Sequence, residues 1–117
     1  MDNLISNIME EHVNVAEKYK KIKEKYPDDI LLFQIGIFFR IMCEDAKKVS
    51  EILGLKLLIK GEVDNPMVYC GFPKSGLDKY IGKLVRLGFS VAVCSQIKSE
   101  NGEVNREVKE VIRCLKT

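Results

Sequence analysis

Histidine is almost missing from this chain: His12 is the only one. That argues against a Cys–His nucleophile and against a histidine-rich metal site. The four cysteines, Cys43, Cys70, Cys94 and Cys114, stand far apart with no CxxC pair, so zinc and dithiol redox chemistry lack their usual spacing. They read instead as reduced, mostly buried, small apolar residues in a reducing cytoplasm. Neither a P-loop nor a GxGxxG is present, so a glycine-rich phosphate cradle is absent and no cofactor is implied. No apolar run approaches the ~20 residues that span a bilayer, and no charged segment leads into a signal-like core. The expectation is a cytoplasmic protein without a membrane partner. Net charge is only +2, too little for a long-range field of one sign. Repeats and low-complexity segments are absent.

What the chain does have is the balance of one ordinary folded domain. It has 117 residues, 46% hydrophobic and 31% charged, enough to bury a core without staples. Leu4, Ile5, Ile8 and Met9 fall at helical spacing in an N-terminal extension over 1–13. Val15, Tyr19, Ile22 and Tyr26 form the apolar stripe of the next helix, with Asn14 and Glu17 as a capping pair and Pro27 as its stop. Ile30 to Ile35 reads as a buried strand, Gly36-Ile37 as a tight turn, and Phe38 to Met42 as its antiparallel neighbour. Met42, Ala46, Val49 and Leu53 predict a helix ended by Gly54. Strands are expected over Leu55 to Lys60 and Met67 to Phe72, around a polar loop from Gly61 to Pro66. Leu77, Tyr80, Ile81 and Leu84 predict a third helix ended by Gly88. Strands from Phe89 to Ile97 and Val104 to Leu115 flank a turn at Asn101-Gly102. The fold class is α/β (α+β), a mixed, mostly antiparallel sheet flanked by helices.

One enzyme-like pattern is present. Pro27-Asp28 with Glu107-Val108-Lys109 is similar to the acidic-plus-lysine set of restriction-type nucleases, but its parts are separated by most of the chain and Pro27-Asp28 also serves as a helix stop. Lys18, Lys20, Lys21, Lys23 and Lys25 resemble a phosphate-binding stripe, yet they lie opposite the apolar stripe of their helix and read as solvated. Phe38, taken alone, is one of five phenylalanines in an apolar stretch, and reads as core. Phe38 and Phe39 must point to opposite faces of a strand, and Arg40 shares the face of Phe38, which argues that this face is not sealed.

Several motifs in order resemble the N-terminal mismatch-recognition domain of the MutS family. Tyr19-Lys20-Lys21-Ile22-Lys23-Glu24-Lys25-Tyr26-Pro27-Asp28 looks like its opening helix. Ile30-Leu31-Leu32-Phe33-Gln34-Ile35-Gly36-Ile37-Phe38-Phe39 resembles the strand, glycine turn and aromatic pair that follow. Glu44-Asp45-Ala46-Lys47, Cys70-Gly71-Phe72-Pro73, the helix carrying Tyr80, Lys83, Leu84 and Gly88, Val91-Ala92-Val93-Cys94-Ser95-Gln96 and Arg106-Glu107-Val108 continue the likeness. The resemblance implies a domain over 14–117 that is not an enzyme. It also implies a stand-alone protein, since the family would continue into a connector, clamp and ATPase.

The same resemblance implies double-stranded DNA, mismatched or bulged, as the partner, with a protein partner supplying other domains. The family carries Phe-x-Glu after the glycine turn: the phenylalanine wedges into the helix at the mispair and the glutamate bonds the displaced base. By position Phe38 is the wedge, Gly36 makes its turn, and Arg40 occupies the glutamate position. Ile37 stands where the family has an acidic residue. A carboxylate repels phosphates of perfect DNA, whereas an arginine attracts them, so higher general affinity and poorer discrimination are expected. Lys60, Lys74 and Lys98 lie near predicted loops and are candidate phosphate contacts. The alternative is a protein-interaction module that keeps the fold without DNA contact, with the greasy Phe38 face binding a partner.

Overall fold

The structure is a computed structural model and describes residues 15–61, 66–98, 102 and 104–114. The N-terminal extension, His12, Asn14 of the capping pair and most of the polar loop before Pro66 lie outside the described residues.

The first described helix, α1 (Val15–Lys25), buries Val15 and Tyr19, and the chain turns at Pro27 into β1 (Asp29–Ile35). The strand β1 is buried on both faces, as its apolar run, interrupted only by Gln34, requires. A two-residue turn leads to β2 (Phe38–Met42), and α2 (Cys43–Leu53) starts on the next residue. That junction has no loop, and Cys43 absorbs the change of direction with a φ of 58°. The short β3 (Leu58–Lys60) and β4 (Met67–Pro73) follow, then a 3₁₀ turn (Lys74–Gly76), α3 (Leu77–Arg86), β5 (Ser90–Lys98) and β6 (Val104–Ile112). Both α2 and α3 end in the same way. Gly54 and Gly88 take positive φ, and the following residues, Leu55 and Phe89, donate back to Ser50 and Leu84 carbonyls.

The six strands form one sheet in the order β3-β4-β2-β1-β5-β6, parallel only between β1 and β5. Its two faces make two cores. One holds Ile30, Leu32, Phe39, Ile41, Cys70, Phe72, Val91 and Val93 under residues of α2 and α3. The other holds Leu31, Phe33, Met42, Ala92 and Cys94 under Val15 and Tyr19 of α1.

Four expectations are corrected in detail. The third strand is Leu58–Lys60, because Leu55 packs back on the core directly after the α2 cap. The last strand ends at Ile112 and carries a bulge: Val93 pairs with Glu110 but Cys94 with Val108, leaving Lys109 extra. That extra residue lets Val108 and Val111 both reach the α1-side core. Lys23 is not a solvated member of its stripe. Its ammonium donates to the Asp29 carbonyl and, at 2.7 Å, to the carboxylate of the buried Asp45, which also accepts from the Tyr19 hydroxyl at 3.3 Å. Burial and the charge of Asp45 push the Tyr19 phenol far up. Cys43 and Cys114 are only half-buried, whereas Cys70 and Cys94 are fully enclosed, and all four are free thiols.

Candidate nucleic-acid interface

The turn between β1 and β2 pairs Ile35 with Phe38 and leaves Gly36 and Ile37 as the two loop residues. Gly36 has a φ of 61°, and Ile37 does not share the positive φ, the pattern of a type II′ turn. Nothing lies within 4 Å of a Cβ built on Gly36, so the glycine is there for its backbone and not for space.

The tip is braced from two sides. Toward β5, the Gln34 amide donates to the Gly36 carbonyl (2.9 Å), the Gly36 N–H donates to Gln96 Oε1 (3.2 Å), and the Gln96 N–H donates to Gln34 Oε1 (2.7 Å). Arg106 Nε adds a bond to the Gln34 carbonyl at 2.7 Å. Toward β4, the Lys74 N–H donates to the Ile37 carbonyl at 2.7 Å. These bonds hold a very apolar tip in the open: Ile37 is 71% and Phe38 47% exposed, while Phe39, on the opposite face, is 1% exposed. The alternation that the sequence demanded thus puts Phe39 in the core, stacked near Phe72, and Phe38 outside.

Arg40 is half-buried on the same face as Phe38, about 7 Å further along the strand. Its guanidinium carbon lies 4.4 Å from the centroid of the Tyr69 ring. Lys74 is exposed at the foot of the tip, directly after Pro73, which pairs with Phe38. Lys60 is elsewhere. It pairs with Met67 at the other end of β4 from Pro73, so a strand of roughly 20 Å separates it from the tip. Its pKa is lowered by burial first and by the charge of Arg40 second. Lys98 ends β5 beyond Gln96; its side chain lies outside the described residues.

The nuclease-like set is not assembled. Asp28 precedes the first residue of β1, whereas Glu107 pairs with Ser95 toward the opposite end of the sheet and forms its ion pair, at 2.6 Å, with Lys109. Among the described residues no group of His, Cys, Asp and Glu is arranged to hold a metal, and no helix is long and apolar enough to cross a membrane.

Residues 13–113 match the MutS domain I family. The chain belongs to that family. The DNA mismatch repair protein MutS of Fusobacterium nucleatum is 43% identical over 102 residues, which is 84% of this chain and 11% of that protein. The chain therefore spans about a tenth of the length of this curated relative. Within domain I, the residues that sequence reasoning did not single out as site residues are Gln34, Gln96 and Tyr69. The two glutamines lie inside apolar strand runs, which was the one available signal for a specific polar task. Tyr69 gave no signal, since its meeting with Arg40 depends on the β2–β4 register.

Proposed function

We propose that this domain binds double-stranded DNA and engages mismatched or bulged sites through Phe38, with Arg40 raising general affinity at the expense of discrimination. The observation that carries it is the half-exposed phenylalanine on a turn braced by Gln34, Gln96 and Lys74. A wedge needs an aromatic ring held out before DNA arrives, so that insertion costs little ordering. A mismatched step unstacks more easily than a paired one, and stacking on an aromatic face returns about 1–3 kcal/mol. Arg40 is donor-only and cannot repel a phosphate as a carboxylate would. Lys74 beside the tip suits a backbone contact, as does Lys98 at the tip end of β5; Lys60 lies further along the surface, past Arg40. The role is recognition, not catalysis, and further domains or a partner protein would complete the grip on the duplex.

Fluorescence anisotropy with matched, G·T-mismatched and single-base-bulged duplexes at two salt concentrations tests it. Tighter binding to the mismatched or bulged duplex, with affinity falling as salt rises, supports the proposal. Absence of binding at low salt sinks it and favours the exposed Ile37–Phe38 tip as a protein contact.

A further inference from the structure

Arg40 does not extend toward the hairpin tip; its guanidinium rests on Tyr69. The sheet register accounts for this. Arg40 pairs with Gly71, and Tyr69, two residues earlier on β4, pairs with Met42 on the same face. Gly71 leaves the ground between them clear. A Cβ there would lie 2.8 Å from the Phe39 carbonyl oxygen and 3.5 Å from Arg40 Cγ. Lys60 approaches from the other side, opposite Met67, and feels both burial and the charge of Arg40. Among the described residues neither cation forms an ion pair with a carboxylate. The loop after Lys60 carries Glu62 and Asp64, which lie outside the described residues.

Two cations near one another, neither paired with a carboxylate among the described residues, favour an acceptor group in that place. A guanidinium stacked on a ring has one face covered, but its in-plane N–H edge remains available. That edge fits a planar or forked acceptor, which on DNA is a phosphate or the O6/N7 edge of guanine.

We propose that Tyr69 is a positioning residue whose ring fixes the Arg40 guanidinium, so that Arg40, with Lys60 beside it, receives a hydrogen-bond acceptor of the bound DNA. This rests on the DNA-binding reading of the Phe38 site. It makes Tyr69 a specificity-determining position without contact to the wedge itself.

Two measurements test it separately. In the free protein, the Arg40 Nε–Hε NMR signal is displaced by the Tyr69 ring current in wild type and Tyr69→Phe, and relaxes toward the ordinary arginine position in Tyr69→Leu. An unchanged signal in Tyr69→Leu overturns the stacked geometry. In duplex titrations, Tyr69→Leu weakens binding by roughly 3–10-fold, the range of a partly exposed cation–π pair and its charge, and Tyr69→Phe restores it. In an Arg40→Ala background, Tyr69→Leu has no further effect. Equal losses in both backgrounds mean that Tyr69 merely supports the fold, and overturn the proposal. A salt slope shallower by about one identifies a phosphate as the acceptor; an unchanged slope with loss confined to guanine-containing mispairs identifies the base edge. Absence of any duplex binding by wild type overturns the DNA reading and the DNA acceptor with it, whereas binding without coupling of positions 40 and 69 overturns this inference alone.

Discussion

Phe38 and Arg40 share a strand face and differ in everything else. The phenylalanine is held in the open by backbone bonds to its turn, and the arginine is held down by a ring. Substituting them separately should therefore give opposite patterns. Arg40→Glu puts a carboxylate in its place, which repels phosphate and cannot donate. Affinity for matched duplex falls and the ratio of mismatched to matched affinity rises, with the salt slope shallower by about one. Unchanged affinity and ratio would show that Arg40 does not meet DNA. Gly36→Ala puts a Cβ on a residue at φ 61°. The expected cost is about 1–2 kcal/mol in urea unfolding, with no steric clash to add to it. A cost near zero would mean that the turn readily adopts another geometry.

The strands and helices themselves follow from patterns that a sequence displays. The stripe Val15, Tyr19, Ile22 fixed the docking face of α1, the run Ile30 to Ile35, polar only at Gln34, a strand covered on both sides, and Gly36 the hairpin. What stayed hidden depends on meetings between distant residues. Nothing in a lysine-rich helix says that Lys23 will turn inward, because its partner Asp45 sits on another helix, where an acidic first turn is unremarkable. The bulge at Lys109 is equally silent, since the extra residue shows only against β5. Arg40 was legible as a charge on the face of Phe38, but its seat on Tyr69 needed the register of β4. The Lys23–Asp45 contact carries a stability prediction. Lys23→Met leaves a carboxylate that is 5% exposed with the Tyr19 hydroxyl as its remaining side-chain donor. The loss in urea unfolding should be about 2 kcal/mol, below the 3–5 typical of a fully buried pair because Lys23 is partly exposed. A change under about 0.5 kcal/mol would mean that Asp45 is satisfied without the lysine.

At the scale of the whole molecule, one sheet with a core on each face fixes both ends of the hairpin brace. Gln96 enters from β5 and Lys74 from the end of β4, so the tip is bonded on both sides to the sheet that carries it. The cores also bury Cys70 and Cys94, and burial pushes both thiols from 9.0 up to about 11. The unfolded chain therefore loses these protons before the folded one does. The contribution of these two thiols should hold below pH 9, decline as pH rises from 9 toward 11, and level off beyond, where the still higher Tyr19 phenol continues the loss. Thermal unfolding of wild type against Cys70→Ala/Cys94→Ala checks this: the double variant starts lower but loses less between pH 8.5 and 10.5. Parallel losses would show that other groups govern the alkaline limb.

The most direct measurement of the central claim is anisotropy of wild type and Phe38→Ala on matched, G·T-mismatched and single-base-bulged duplexes. A braced, exposed wedge predicts that wild type prefers the distorted duplexes, and that Phe38→Ala loses about 1–3 kcal/mol on them while matched binding barely moves. If Phe38→Ala keeps the wild-type preference, or weakens all three duplexes equally, Phe38 is not the wedge and the account is wrong.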